Sequence, residues 1–168
     1  RAAVADVAKL AQLSAAQPLA LALYRQLGAE PGVWGFKVYR LGAPVVLSDS
    51  LPMLEHMGVR VMGEDNFRIR QGNGDGVLVS MHDFKLEAHV SDELEPETLA
   101  RLFEGTFAQV FRGEVENDDF NRLVLRAGLA ARDVVVLRAY AKYCKQIGFA
   151  LSQATIEATL AAHPRIAH

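Results

Sequence analysis

The sequence has only one cysteine, Cys144, among its 168 residues, so it cannot form an internal disulfide. A single cysteine fits a reducing compartment, and we expect a cytoplasmic protein. No apolar run reaches the roughly 18 residues that a membrane-spanning helix needs. The first residues, RAAVADVAKL, lack the apolar core of a signal peptide. The sequence therefore predicts neither insertion into a membrane nor secretion.

An excess of charge of one sign is also missing, since 18 basic and 20 acidic residues give a net charge of −2. Nothing in this balance favours binding to nucleic acid or to an anionic membrane. Because 51% of the residues are hydrophobic, the chain can bury a core, whereas disordered chains have the opposite composition. The chain begins at Arg1 rather than Met and has no signal peptide to remove. We therefore expect an internal piece of a longer protein, the alternative being a trimmed tag or a disordered start.

The motifs of a complete active site are absent as well. There is no Walker A or G-x-S-x-G run, the histidines lack zinc-ligand spacing, and Cys144 has no partner cysteine. His82 and Asp83 are neighbours in a predicted strand, so their side chains point to opposite faces and cannot act as a base with its orienting acid. Strand-like residues follow the QGNGDG run at 71–76, which predicts a hairpin loop rather than a nucleotide-binding loop. The sequence thus predicts no catalytic, cofactor-binding or metal-binding residues.

What the sequence does contain is apolar residues at regular spacings. They alternate with polar residues in some segments, as in strands, and recur every three or four residues in others, as in helices. Glycine, proline and capping residues separate these segments. The predicted helices cover 3–13, 50–57, 96–113, 120–127, 131–147 and 153–162, and the predicted strands cover 19–24, 33–41, 59–62 continuing at 67–70, and 77–88.

The element order between residues 19 and 112 is ββαββα. The ferredoxin-like fold of amino-acid-sensing ACT domains runs βαββαβ, and cutting it before its second strand and rejoining the ends gives the order found here. We therefore expect an α+β fold, a permuted ACT-like four-stranded antiparallel sheet with two helices on one face. Two alternatives share this order: a sheet with different strand pairing, and two ββα units packed as a pseudo-duplicate. The predicted domains are an N-terminal helix at 1–18, the ACT-like domain at 19–112 and a helical segment at 113–168.

One loop is a candidate ligand site. It runs from Gly42 to Asp49 and joins a strand to a helix N-terminus, where backbone N–H groups could meet a carboxylate. Ser48 or Asp49 is expected to cap that helix, and an ordinary capped loop is the competing interpretation. The candidate ligand-binding residues are Gly42, Ser48 and Asp49.

An acidic cluster follows the predicted ACT-like domain. Metal binding is one interpretation, and favourable interaction of acidic side chains with a helix N-terminus is the one we prefer. The cluster consists of Glu114, Glu116, Asp118 and Asp119.

Several runs of the sequence resemble one family, the large bacterial NAD-dependent glutamate dehydrogenases. The runs after residue 112 are long and specific, whereas the first helix and the QGNGDG loop carry little of the resemblance. The runs are FKVYRLG at 36–42, LSDSLPMLEHMGVRV at 47–61, HDF at 82–84, GEVENDDFNRLVLRAGL at 113–129 and LRAYAKYCKQIGFALSQATIEATLAAHP at 137–164.

The resemblance implies that the chain is the last ACT-like unit of a long N-terminal region, followed by the helical approach to a catalytic domain. The parent enzyme would deaminate L-glutamate oxidatively to 2-oxoglutarate and ammonia with NAD. The family's catalytic lysines, catalytic aspartate and Rossmann glycines match nothing here, so we expect this piece to be inactive alone. Its implied partners are the rest of its own subunit, neighbouring subunits of a homo-oligomer, and an amino-acid effector. A regulatory or assembly role follows, with a purely architectural module or an amino-acid-binding domain as the alternatives.

Overall fold

The computed structural model describes residues 2–26, 28–71, 76–91 and 94–167. The chain divides into two compact units, the first formed by residues 1–51 and 61–87 and the second by residues 52–60 and 88–168. The elements are α1 Ala2–Gln12, β1 Leu19–Tyr24, β2 Val33–Leu41, α2 Leu47–His56, β3 Val59–Gln71, β4 Val77–Ala88, α3 Pro96–Phe111, a 3₁₀ turn Asp119–Arg122, α4 Leu123–Ala127, α5 Ala131–Gln146, α6 Gln153–Ala162 and α7 Pro164–Ala167.

The four strands form one antiparallel sheet in the order β1-β2-β4-β3. This is the order that results from cutting the ferredoxin-like fold before its second strand, so the predicted fold class is confirmed. The alternative of a different strand pairing is wrong. The pseudo-duplicate alternative is compatible with this sheet. Each ββα unit contributes one central strand, β2 or β4, and one edge strand, β1 or β3.

One face of the sheet packs against α1. Side chains alternate between the two faces of a strand, so Tyr39 of β2 and Met81 of β4, which are register partners, lie on the same face. These two residues are buried with Leu13 from the segment after α1, and Leu10 of α1 packs against the same cluster. Helix α1 therefore covers apolar surface of the sheet, although it carries little of the family resemblance.

The second unit has a hydrophobic core of its own. The short α4 buries three of its five residues, Leu123, Val124 and Leu125, and the first two cluster with Phe120 of the preceding 3₁₀ turn. Val134 and Ala141, which lie on one face of α5, belong to the same buried cluster. The segment that we expected to be a single helix from 120 to 127 is instead a 3₁₀ turn followed by α4.

One predicted interruption is absent from the structure. Strand β3 is continuous through Gly63–Asn66, because an edge strand needs backbone hydrogen bonds and not a second apolar face. Helix α6 ends at Ala162, as predicted, and Pro164 then opens the short α7, a position where its missing N–H costs nothing. Residues 72–75 of the predicted hairpin loop lie outside the described residues.

Candidate functional site

A polar network on the α1 face of the sheet is centred on Lys37, which lies inside the buried strand β2 and is 8% exposed. Its Nζ donates to both carboxylate oxygens of Asp6 in α1, at 2.9 Å each. The Tyr39 hydroxyl donates to Asp6 Oδ1 at 2.6 Å. Lys37 Nζ also lies 3.7 Å from Asp83 Oδ2 of β4. The network therefore satisfies a buried ammonium and ties α1 to the sheet.

The network continues to the end of β1 through Tyr24. Its hydroxyl donates to Asp83, at 2.8 Å to Oδ1 and 3.1 Å to Oδ2. Its ring lies over Gly35, the register partner of Tyr24, where an added Cβ would be only 2.2 Å from the ring carbon Cζ. Glycine is thus required at position 35 for the ring to reach the sheet backbone.

The protonation states of this network follow from its contacts. Burial alone would raise the pKa of Asp6, but the hydrogen bonds from Tyr39 and Lys37 and the charge of Lys37 outweigh it, and the pKa is lowered. Burial, together with the hydrogen bond to Asp83, raises the pKa of Tyr24 well above its usual value. Burial and the hydrogen bond to Asp6 raise the pKa of Tyr39 in the same way. Both tyrosines therefore remain donors to carboxylates over the physiological pH range.

A depression of about 410 Å³ opens next to this network, over the part of the sheet that carries Gly35. Gly35 and the Tyr24 ring that covers it are among its lining residues. Charged side chains of both signs complete the lining, namely Lys37, Asp65, Asp83 and Lys85. Such a site offers no activated nucleophile, but it can hold a small polar ligand by hydrogen bonds and ion pairs.

The loop predicted to bind a ligand differs in one respect from expectation. Gly42 is exposed and adopts a positive φ of 83°. Helix α2 begins at Leu47, because the N–H of Ser50 already bonds to the carbonyl of Val46 at 3.1 Å. The expected capping role of Ser48 and Asp49 is therefore wrong, since both residues lie within the first turn, exposed to solvent. Ligand binding at Gly42, Ser48 and Asp49 stays a prediction.

His82 and Asp83 do point to opposite faces of the sheet, as their positions in a strand predict. His82 is 1% exposed, and its Nδ1 lies 2.7 Å from Glu64 Oε1 of β3. Asp83 faces the Lys37 network. His82 is therefore fully buried, and its carboxylate partner comes from the neighbouring strand.

The acidic cluster of the second unit is occupied by basic side chains. Arg138 of α5, 2% exposed, donates from Nε and Nη2 to the two oxygens of Asp118, both at 2.7 Å. Its Nη2 also donates to Asn121 Oδ1 at 3.1 Å, and its Nε lies 3.0 Å from Glu116 Oε2. The remaining pairs are Lys142 with Glu116, Arg122 with Asp119, and Arg112 with Glu114.

Neither metal binding nor membrane insertion has support in the part of the chain that the structure describes. No group of three or more histidine, cysteine or acidic side chains lies there in an arrangement that could hold a metal ion. No helix of the same part is long and apolar enough to cross a membrane.

The sequence reasoning missed the depression and its charged residues. One signal was present: Lys37 interrupts an otherwise apolar strand, and a lysine in a buried strand needs a partner. Its partners could not be read from the sequence because Asp6 and Asp83 are separated from it by 31 and 46 positions. Asp65 and Lys85 carry no local pattern that sets them apart from ordinary surface charges.

The sheet order and the helices after it define an ACT-like module followed by a helical segment. Residues 18–99 match the family described as glutamate dehydrogenase, ACT3 domain. Residues 115–168 match the family described as glutamate dehydrogenase, helical motif 3.

Curated relatives extend this assignment to nearly the whole chain. The NAD-specific glutamate dehydrogenase of Halomonas elongata is 42% identical over 166 residues, 99% of this chain and 10% of the relative. That of Pseudomonas aeruginosa is 39% identical over 165 residues, 98% of this chain and 10% of the relative. That of Mycobacterium tuberculosis is 41% identical over 140 residues, 80% of this chain and 8% of the relative. The chain belongs to the NAD-specific glutamate dehydrogenase family and spans about a tenth of the length of these relatives.

Proposed function

We propose that this region is a non-catalytic module that positions other parts of a large NAD-dependent glutamate dehydrogenase, and that α5 and its C-terminal extension are its docking surface. The observation that carries the proposal is an apolar stripe, defined as Val136, Tyr140, Tyr143 and Ile147. These side chains are 53%, 66%, 58% and 63% exposed. Their spacing of four, three and four residues places them on one face of the helix.

An exposed apolar stripe of this length is typical of a surface that another part of a protein covers. Phe149 and Leu151, which follow α5, extend it and are 52% and 47% exposed. The relatives are about ten times longer than this chain, so the rest of the same subunit is the occupant we propose. Neighbouring copies in a homo-oligomer are the other partners in this proposal.

The chemistry of the whole enzyme is part of the proposal and comes from the names of the relatives. We assign the oxidative deamination of L-glutamate to 2-oxoglutarate and ammonia, with NAD as cofactor, to segments outside this chain. A cytoplasmic location completes the proposal, on the grounds of the single cysteine.

Hydrogen–deuterium exchange tests the docking surface. We expect the α5 amides to exchange more slowly in the full-length enzyme than in the 168-residue chain. Replacing Tyr140 and Tyr143 by serine should remove this difference and weaken assembly in analytical ultracentrifugation. The matched control replaces Arg132 and Lys145, exposed residues of the same helix, by serine and should change neither measurement. Equal exchange in both contexts would refute docking through α5.

A regulatory role is the alternative, in which an amino acid binds the ACT-like unit and biases the arrangement of domains. The loop from Gly42 to Asp49 is one candidate binding position for that amino acid, because Gly42, Ser48 and Asp49 are exposed. Deleting residues 19–112 from the full-length enzyme separates the two roles. An unchanged oligomer mass would count against assembly, and an unchanged response to L-glutamate, L-aspartate and L-arginine would count against regulation.

A further inference from the structure

We propose that helix α1 is a displaceable cover of the sheet, and that Lys37 exchanges Asp6 of the cover for Asp83 of β4 when the cover opens. In the closed state, α1 covers the face of the sheet that carries Tyr39 and Met81. In the open state, this face is exposed to solvent. The inference goes beyond the proposed function, because it concerns the first unit, whereas the docking surface on α5 belongs to the second.

Helix α1 is packed loosely against the sheet. None of its side chains at positions 4–12 is buried, and Val4 and Val7 are 75% and 65% exposed. Leu10 packs against the buried cluster of the sheet but is itself only partly buried. An isolated helix of 11 residues is marginal in water, so α1 keeps its helical form only while it lies on the sheet. Such an element opens at a lower free energy than the strands beneath it.

The connection between α1 and β1 permits this opening. Residues 14–17 form a turn in which the N–H of Ser14 donates to the carbonyl of Gln17, and the N–H of Gln17 to the carbonyl of Ser14, both at 3.1 Å. These two hydrogen bonds do not involve α1. The match to the ACT3 domain begins at residue 18, so α1 lies outside the matched unit. The turn and the sheet therefore keep their hydrogen bonds when α1 moves away.

Lys37 has a carboxylate partner available in each state. In the closed state, its Nζ donates to both oxygens of Asp6 at 2.9 Å and lies 3.7 Å from Oδ2 of Asp83, too far for a hydrogen bond. The Tyr24 ring is centred 5.5 Å from the same ammonium. Departure of Asp6 therefore leaves Lys37 beside a second carboxylate and an aromatic ring that both belong to the sheet. A short movement of the lysine side chain completes the exchange, so opening does not leave a buried ammonium without a partner.

Thiol labelling with a maleimide tests the opening in the 168-residue chain, with Cys144 replaced by serine. Met81→Cys places a thiol under the cover. Ser80→Cys is the matched control, because the adjacent residue of β4 points to the opposite face, and Met81 and Ser80 are 8% and 1% exposed. We expect Met81→Cys to react at least about tenfold faster, since Ser80→Cys reacts only when the sheet unfolds.

The dependence of the labelling rate on urea identifies the motion. Opening of α1 exposes little surface, so the rate for Met81→Cys should change little at low urea, whereas the rate for Ser80→Cys should rise steeply. Equal rates for the two thiols, or an equally steep rise with urea, would refute the cover.

Asp6→Asn and Asp83→Asn act on different states. Asp6→Asn weakens the closed state, and we expect it to speed labelling of the covered thiol about tenfold. Asp83→Asn removes the carboxylate that receives Lys37 in the open state but keeps an acceptor for the Tyr24 hydroxyl. It should slow the labelling at least about threefold. Asp65→Asn is the control, because Asp65 is an exposed aspartate of β3, and it should leave the rate unchanged.

Each substitution is able to contradict the inference. If Asp6→Asn leaves the labelling rate unchanged, the reagent reaches the thiol without movement of α1. If Asp83→Asn speeds the labelling or leaves it unchanged, Lys37 does not exchange one carboxylate for the other. Neither result alters the exchange of the α5 amides in the full-length enzyme, so the docking proposal is tested separately.

Discussion

Among the described residues, each of the two units buries one lysine or arginine side chain, and the partners of that side chain differ between the units. In the second unit, Asp118, Glu116 and Asn121 contact Nε and Nη2 of Arg138, and its guanidinium lies 5.7 Å from the centre of the Phe120 ring. In the first unit, Lys37 is bound by Asp6 and lies 3.7 Å from Asp83, and its side chain also lines the depression.

This difference separates a closed polar network from one that borders a depression. A planar guanidinium bound at both Nε and Nη2 by one carboxylate fixes the chain segment that supplies its partners. The Arg138 network therefore holds the turn before α4 in place. The Lys37 network fixes α1 and Asp83 but leaves neighbouring charges exposed to solvent. We expect changes in the closed network to lower stability most, and changes in the open network to lower it less.

Replacing Arg138 by methionine should have the largest effect. The substitution leaves the Asp118 carboxylate without its partner in a site that admits little water. We expect the free energy of unfolding to fall by about 3–5 kcal/mol, measured by urea denaturation. The matched control is Arg132→Met on the same helix, whose side chain is 89% exposed, and which should change stability by less than about 0.5 kcal/mol. Similar losses for the two variants would contradict the view that Arg138 organises the second unit.

Replacing Gly35 by alanine should have the next largest effect. The new Cβ would lie 2.2 Å from Cζ of Tyr24, so the ring must move and its hydrogen bond to Asp83 must break. We expect a loss of about 1–3 kcal/mol in urea denaturation. Gly63→Ala in β3 is the control, because a Cβ there meets nothing within 4 Å. A further change of Tyr24 to alanine should recover part of the loss, and failure to recover any would point to backbone strain instead of the ring.

Replacing Asp6 by asparagine should have a smaller effect that depends on pH. At pH 7 the variant loses one charged partner of Lys37, and we expect a loss of about 1–2 kcal/mol. Because folding lowers the pKa of Asp6 below its ordinary value of 3.8, the stabilisation is complete above that pH. It disappears as the pH falls through the lowered pKa of the folded state.

Urea denaturation of both chains between pH 7 and pH 2 measures this dependence. The difference in unfolding free energy between wild type and Asp6→Asn should stay constant down to about pH 4 and then shrink. A difference that grows on acidification would show that Asp6 is protonated more readily in the folded chain, contrary to the contacts seen.

The comparison also shows which features the sequence predicts. The bounds of β2 and β4 follow from the sequence, because β2 is rich in β-branched and aromatic residues and both strands are bounded by glycine, proline or polar turns. The start of α2 was placed three residues late, because Ser48 and Asp49 resemble capping residues, whereas the first helical hydrogen bond accepts at Val46. The Lys37 network depends on the register between β2 and β4 and on where α1 docks, and neither leaves a local pattern.

The smallest effect is expected from Glu114→Gln, which extends the comparison to a surface pair. Glu114 accepts from Arg112 Nε at 2.6 Å, and this hydrogen bond lowers the pKa of its carboxyl group. About half of each side chain is exposed, however, so water replaces the lost partner, and we expect an unchanged melting temperature. Asp118→Asn, which removes the charge from the closed network, should lower the melting temperature in the same calorimetric experiment. If both substitutions lower the melting temperature equally, the contribution of an ion pair to stability does not depend on its burial. The short contact distance that the two pairs share would then be the explanation.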